Sequence, residues 1–529
     1  MPFPASDIAW PPRPHELVFN AAREQQVWWE GDPDKLAQFY GGQHAAATVN
    51  ASAGRLARAW QAFWAKPQAT NDPKRLHVPV AADLGRIAAG VLFGEPPTWR
   101  AADGNQAVQD AADLILNTDD LASRLLVAAE SAAMLSGTYG RIVWNGLLRK
   151  NVWIDFVDAD RAIPTFQWGI LTEVTFASLL PSDDGRIVWR HLERHAPGVV
   201  ENALYSGSAT AVGSRRPLTE HPATAGMKEQ VPTGVTELTA AYFPHHRPNA
   251  AWRDVPELAP LGRPDLTRPV IHLLDACDRT WSSWMRDLDL GRGRLIVSEQ
   301  LMNIGKAGSG SEFDLDRAIF SPVGAAMTAG DMTTLLEGHQ FDIRVQEHQQ
   351  TFEALLRQII AACGYSPLTF GLADEAAQTA TEVDAKERDT NSTRATRVRL
   401  WTPSLAELGT TALRVNARVF GTVAPEELLN VDFPPMHQQS QKQVAETTEL
   451  LHRASAISTE MRVRRVNPDW DDGEVAAEVQ RIQDESGSVL PPMPDEGNQG
   501  DPFAGPAVDP AADPGVDGVD ATEPDGPTA

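Results

Sequence analysis

Apolar residues recur at helical spacing over several stretches of the chain and alternate with polar ones over a block between them. Leu84, Ile87, Val91 and Leu92 predict a helix after Pro79, stopped by Gly94 and the Pro96-Pro97 pair. Leu114, Leu121, Leu125, Leu126 and Met134 predict one helix over about 109–136, broken by the Gly-containing residues 137–140. The period then changes to two. Residues 142–144, 152–157, 171–176, 187–192 and 199–205 read as strands of a hairpin-built segment. Residues 206–262 carry little pattern beyond a short strand near 239–243. Helical spacing returns over 268–290, through Val270, Leu274, Trp281, Trp284, Met285 and Leu288. Residues 294–297 read as a strand and 305–310 as a flexible loop. Phe352, Leu355, Leu356, Ile359, Ile360 and Cys363 then make one continuous apolar stripe. A helix from near Gln340 to Cys363 would be roughly 36 Å long. Gly364 is placed to cap it, with Pro367 just beyond.

The flanks are less regular. Residues 1–70 read as helical, with Pro33 in a first turn after Asp32. Leu56, Trp60, Phe63 and Trp64 share one helical face, which reads as core packing by default, with a subunit contact as the alternative. Thr379 and Glu382 fit a capping box that opens a further helix. Its turns through Arg399 are almost free of apolar residues, so it is expected to face solvent or lie between subunits. Apolar residues return over 400–420, with Pro403 predicting a kink or break. Residues 436–485 read as small helices, with Asn467 and Pro468 as a helix entry and Val475, Val479 and Ile482 as a buried stripe. Beyond Pro491 lie nine acidic residues and no Lys or Arg, in a Pro/Gly/Ala-rich tail expected to be disordered.

Composition narrows the function classes. With 529 residues, 42% of them hydrophobic, the chain has room for two or three folded domains. A net charge of -25 argues against a surface that grips phosphates. An acidic wall can still let a polyanion slide past; the plainer reading is solubility. Cys277 and Cys363 sit in apolar helical settings and read as buried free thiols. No run of 18 apolar residues marks a membrane span, and the start of the chain does not read as a signal peptide.

Catalytic motifs are missing. Gly305-Lys306 and the glycines after it do not have phosphate-loop spacing, and there is no Gly-x-Ser-x-Gly elbow. Asp287 and Asp289, or Asp314 and Asp316, read as solvated turns. His191 and His195 share a strand face without a ligand set, and His245-His246 lies in a Pro-rich loop. The expectation is a non-enzyme with no cofactor and no metal.

One stretch carries a resemblance. The stripe ending at Cys363, the punctuated loop at 364–371 and the helix opening at 379–383 resemble the core of tailed-bacteriophage portal proteins. Local support comes from residues 188–195 with 204–207, and from 456–459, 467–468 and 474–482. The order of elements fits over about 20–485. The resemblance implies an α+β, portal-like fold: N-terminal helices and a β-rich α/β wing over 1–262, stem helices at 263–290 and 339–363, and a mixed clip at 291–338. It further implies a tunnel loop at 364–379, a long kinked wing helix at 380–435, an α-helical crown at 436–485 and the disordered tail at 486–529. It implies a ring of about twelve copies at one capsid vertex, through which double-stranded DNA is packaged and ejected without sequence specificity, and to which the tail attaches. The implied partners are the terminase large subunit, a head–tail adaptor, and the major capsid and scaffolding proteins. The implied setting is the virion, after assembly in the host cytoplasm, with no membrane partner. Tunnel-loop residues would be Tyr365, Ser366, Pro367, Phe370, Gln378 and Thr379. Inter-subunit charges would be Glu382, Asp384, Lys386, Glu387, Arg388, Arg394, Arg397 and Arg399, although pairing within one helix fits them too. The loop at 364–379 holds no Lys or Arg, unlike a phosphate-gripping loop. A head or tail component without a channel is the alternative.

Overall fold

The computed structural model describes residues 3–41, 76–290 (without 103 and 183–186), 294–297, 336–339, 343–372, 387–435 and 448–487 (without 455, 468, 469 and 471). Helices and antiparallel sheets occupy separate stretches, which makes the fold α+β. The chain divides into two units, Met1–Met436 and His437–Ala529.

The first unit opens on α1 (Glu16–Glu30) and α2 (Pro33–Gly41). Pro33 stands in the first turn of α2, and Asp32 Oδ1 accepts from the amide of Asp34 at 2.9 Å. α3 (Val80–Phe93) buries Ala81, Leu84, Ala88, Ala89 and Leu92. The helix expected over 109–136 is two helices, α4 (Gln106–Ile115) and α5 (Asp119–Leu135). Asn117 explains the interruption. Its amide bonds both backbone groups of Trp99, at 2.8 and 3.0 Å, and Thr118 then caps α5 by accepting from the Leu121 amide. Leu114 and Leu126, which share the apolar spacing, are exposed.

Residues 137–140 start a strand. A three-stranded sheet has the order β10 (Ala240–Pro244), β2 (Gly137–Val143), β3 (Trp153–Asp158). Its glycines permit close approach. A Cβ on Gly137 would sit 2.5 Å from the Tyr242 hydroxyl, and one on Gly140 would sit 2.6 Å from Leu408. The larger sheet runs β4 (Ala162–Gln167), β5 (Ile170–Leu180), β6 (Val188–Ala196), β7 (Val199–Gly207), β8 (Ser214–Arg216), with β9 (Gln230–Pro232) also on β7. β4 escapes a period-two reading because Ala162, Ile163 and Pro164 are all buried in succession. Pro164 is tolerated because β4 is the edge strand.

Three helices complete this unit: α6 (Arg268–Leu290), α7 (Val345–Ala362) and α8 (Arg388–Phe420). β11 (Arg294–Val297) pairs with β12 (Leu336–His339), and β1 (Thr98–Arg100) with β13 (Asn430–Asp432). α8 runs through Pro403 without a break. One core joins α1, α3, α5, α6 and α7 around Trp28, Leu84, Met134, Leu274, Ile359 and Ile360. The other packs Trp401, Leu405, Leu408 and Leu413 of α8 against Phe93, Trp99, Leu125 and Phe243.

In the second unit α9 (Thr459–Val466) is capped by Ser458, and α10 (Asp472–Gly487) buries Val475. Asn467 closes α9, its amide donating to the carbonyl of Val463; it does not open the next helix as expected. The aromatic face at 56–64, the capping box at 379–382, the loop at 305–310 and the tail after 487 lie outside the described residues. No described helix is long and apolar enough to cross a membrane.

Candidate functional site

α6 and α7 form an antiparallel pair whose seam is aromatic and then charged. Trp281 packs against Phe352 with ring centroids 5.6 Å apart, and Trp284 stacks on His348 at 6.2 Å. Further along, Asp287 accepts from Arg344 and contacts His348, each at 2.9 Å. Hydrogen bonds to His348 and Arg344 hold the Asp287 carboxyl below its usual range. Asp287 is therefore an interhelix tie, not the solvated turn expected from sequence. β11 and β12 continue the antiparallel order, with Arg294 opposite His339.

The other end of the pair is anchored by a buried polar cluster. α7 ends at Cys363, and Gly364 takes φ +81°, a left-handed conformation that glycine adopts without strain. This turn aims Tyr365 inward. Its hydroxyl donates to Asp265 Oδ2 at 3.0 Å, and the guanidinium of Arg397 lies 4.9 Å from its ring centre. Arg397 Nη2 is 3.0 Å from His246 Nε2 and 3.5 Å from both Asp265 oxygens. His245 Nε2 lies 3.0 Å from Asp265 Oδ1, too poorly aligned for a full hydrogen bond. Arg397 Nε and Nη1 have no hydrogen-bond partner among the described residues. The cluster thus joins the segment before α6, the turn after α7 and the first half of α8.

Electrostatics follow from burial. Burial pushes the Asp265 carboxyl up, but the Arg397 guanidinium beside it outweighs burial and holds the group well below the carboxylate range. Burial first, and Arg397 second, push His245 down to about 3, so it is neutral. Burial lifts the Cys363 thiol well above its ordinary value. Such a thiol is unreactive.

His245, His246 and Asp265 bring three possible metal ligands within 4.8 Å. In the sequence the histidine pair is a loop feature with nothing to connect it to Asp265. The positive charge a metal would supply comes from Arg397, so the cluster reads as a buried ion pair with histidine neighbours. His191 and His195 are likewise engaged, with Asn202, and with Thr239 and Glu193.

These contacts revise several expectations. Tyr365 and Ser366 are buried, and the Ser366 amide donates to Thr390 Oγ1 at 2.8 Å. Pro367 opens a short 3-10 helix, and Phe370 packs on Tyr365 with centroids 5.8 Å apart. The start of the supposed tunnel loop is therefore a packed anchor, because Gly364 turns the chain back against α8. Gln378 and Thr379 lie outside the described residues, as do Glu382, Asp384 and Lys386. Arg397 is fully buried and spends its charge inside the chain. Arg394 donates to the carbonyls of Val91 and Pro434, at 2.9 and 2.6 Å. Glu387 is buried. Only Arg388 and Arg399 of the described set are exposed. The polar start of α8 is thus half inside the protein, with Thr390, Thr393, Arg394 and Arg397 as its inward face. The lack of apolar residues is misleading there because these side chains hydrogen-bond to backbone and to polar side chains of other segments.

Comparisons with known proteins bear on these elements. No curated protein matches the chain. Among the solved structures similar to it are two particle necks. The neck of a native GTA particle, computed with C12 symmetry, is 14% identical over 74% of this chain and 90% of that chain, with a TM-score of 0.36. The neck of an empty GTA particle, computed with C6 symmetry, is 15% identical over 80% of this chain and 97% of that chain, with a TM-score of 0.35. Residues 252–490, a little under half of the chain, match the family described as phage portal protein, SPP1 Gp6-like. That span holds the helix pair, its anchor turn, α8, α9 and α10, and over it the chain is similar to the phage portal protein family.

Proposed function

We propose that this chain forms a ring at one capsid vertex, serving as the conduit for DNA packaging and ejection and as the point of head–tail attachment. The match of residues 252–490 to the portal family carries the reading. The ring would hold about twelve copies, a closed head-to-tail arrangement. α6 and α7 would be the stem, the span 291–338 the clip facing the terminase large subunit and then the adaptor, the two sheets the wing, and 436–485 the crown. Major capsid and scaffolding proteins would meet the outside. The part of 364–379 that approaches DNA would lie after Phe370, since the residues before it are packed against α8. With a net charge of -25 the ring would let duplex DNA slide without holding it.

Negative-stain electron microscopy with native mass measurement tests this. Rings with a central hole wide enough for duplex DNA are expected. A filament, a shell or a closed oligomer without a channel would overturn the reading in favour of a channel-less head or tail component.

A further inference from the structure

The β4–β5 hairpin ends in a turn that displays an aromatic residue. Trp168 has φ +50° and Gly169 φ +84°, so both central residues are left-handed. Asn or Gly suits the first position; a bulky aromatic there is an outlier. The Trp168 side chain is 100% exposed, and Ile170 beside it is 70% exposed. The tip from Thr165 to Thr172 contains no charged residue. Nothing within the described chain rewards this arrangement.

A second feature is complementary to it. Where α8 passes the β1–β13 ribbon there is an open groove of about 570 Å³, lined by Ala101, Pro403, Ala406, Leu428 and Val431 among others. Pro403 and Leu428 are exposed. The groove's charged residues, Arg100 and Asp432, pair with each other at 3.3 Å. Thr402 and Asn430 also line it, so it offers a floor of mixed polarity, with an apolar strip from Pro403 to Leu428 and its rim charges already paired.

We propose that Trp168 of one copy seats in the Pro403–Leu428 groove of the next copy. This contact rests on the ring reading above and is one part of it. Charge selects a second copy as the occupant. Chains that each carry -25 repel, so they must meet through surfaces without net negative charge; the tip has no charged residue and the groove's two charges cancel as a pair. The two halves are different patches of one chain. A contact of that kind is head-to-tail and closes into a ring when the rotation allows. An exposed Trp seated in a groove is also the residue type that anchors interfaces.

The test uses full-length Trp168→Ser and Leu428→Asp, both at exposed positions, with circular dichroism and melting to confirm folding. Native mass spectrometry should show rings for the unaltered chain and their loss in each variant. An equimolar mixture of the two should give discrete dimers, because Leu428→Asp keeps an intact Trp168 and Trp168→Ser keeps an intact groove. A photo-crosslinker at position 168 should label the neighbour within 400–432. Rings of Trp168→Ser as abundant as those of the unaltered chain, or crosslinks confined to another segment, would overturn the proposal. If the unaltered chain closes no ring, the underlying ring reading fails instead, and the two failures are told apart by that control. Should either variant misfold, the crosslink alone decides.

Discussion

Asp265 is a buried carboxylate compensated by Arg397, with Tyr365 donating to it. Removing one member of such a pair leaves the other charge uncompensated in a low-dielectric interior. Arg397→Met should therefore cost roughly 3–5 kcal/mol of unfolding free energy, while the double variant Arg397→Met with Asp265→Asn should recover much of it. Denaturant midpoints decide this; a single-variant loss under about 1 kcal/mol would mean the pair is worth no more than an exposed one. Neutral buried histidines set a second expectation at this scale. His245 is pushed down to about 3 and His15, by burial, to about 4. Their folded values lie below the ordinary 6.5, so the unfolded chain takes up their protons first. The stability they contribute is complete above 6.5 and is lost as pH falls toward those folded values. Asp265 acts in the same direction but only lower, since its ordinary value is 3.8. Melting temperature should thus decline between about pH 6.5 and 4.5, and less steeply in His245→Gln. A flat profile over that window would sink the assignment of neutral His245.

At the scale of elements, the turn after α7 is where local geometry and tertiary contact meet. Gly364 has φ +81°, and a Cβ there would lie 2.8 Å from Thr393 Oγ1, the hydroxyl that donates to the Gly364 carbonyl. Gly364→Ala should cost roughly 1–2 kcal/mol from the left-handed backbone alone, and more if Thr393 must move. Hydrogen exchange should then show faster opening of residues 360–370 while the β2–β3–β10 sheet stays protected; equal loss in both would show that the turn is not a separate element. The turn is legible in sequence because glycine after an apolar stripe has few other uses. α6 is legible to the residue for a similar reason: its Trp and Leu positions keep helical spacing throughout. The split between α4 and α5 is not. It depends on Asn117 reaching the backbone of Trp99, a partner 18 positions away that spacing cannot reveal. The same limit hides the anchor. His245, His246, Asp265, Tyr365 and Arg397 come from three regions of sequence, and only packing brings them together. The polar start of α8 looks like an exposed or intersubunit face because hydrophobic patterning is blind to a helix side buried through hydrogen bonds.

Charge governs the behaviour of the molecule as a whole. A duplex binder that neutralises several phosphates loses affinity steeply with salt, because each contact releases condensed counterions. This chain has 71 acidic against 46 basic residues, and several of its arginines are committed to internal carboxylates and carbonyls. Any association with DNA should therefore be weak, indifferent to sequence, and nearly independent of salt. Added salt would not simply loosen any such association, because it screens repulsion between protein and DNA as much as any attraction. The residues beyond 487 sharpen the test. They contribute nine acidic groups and no basic ones, about a third of the net charge. Deleting 488–529 should leave the melting transition unchanged, since their composition cannot support a core. The deletion should also weaken repulsion toward DNA and between copies, so rings form at lower salt than for the full chain. Native mass measurements across a salt series compare the two directly. Identical salt thresholds would mean that the remaining surface charge, not the tail, governs how closely copies and DNA approach.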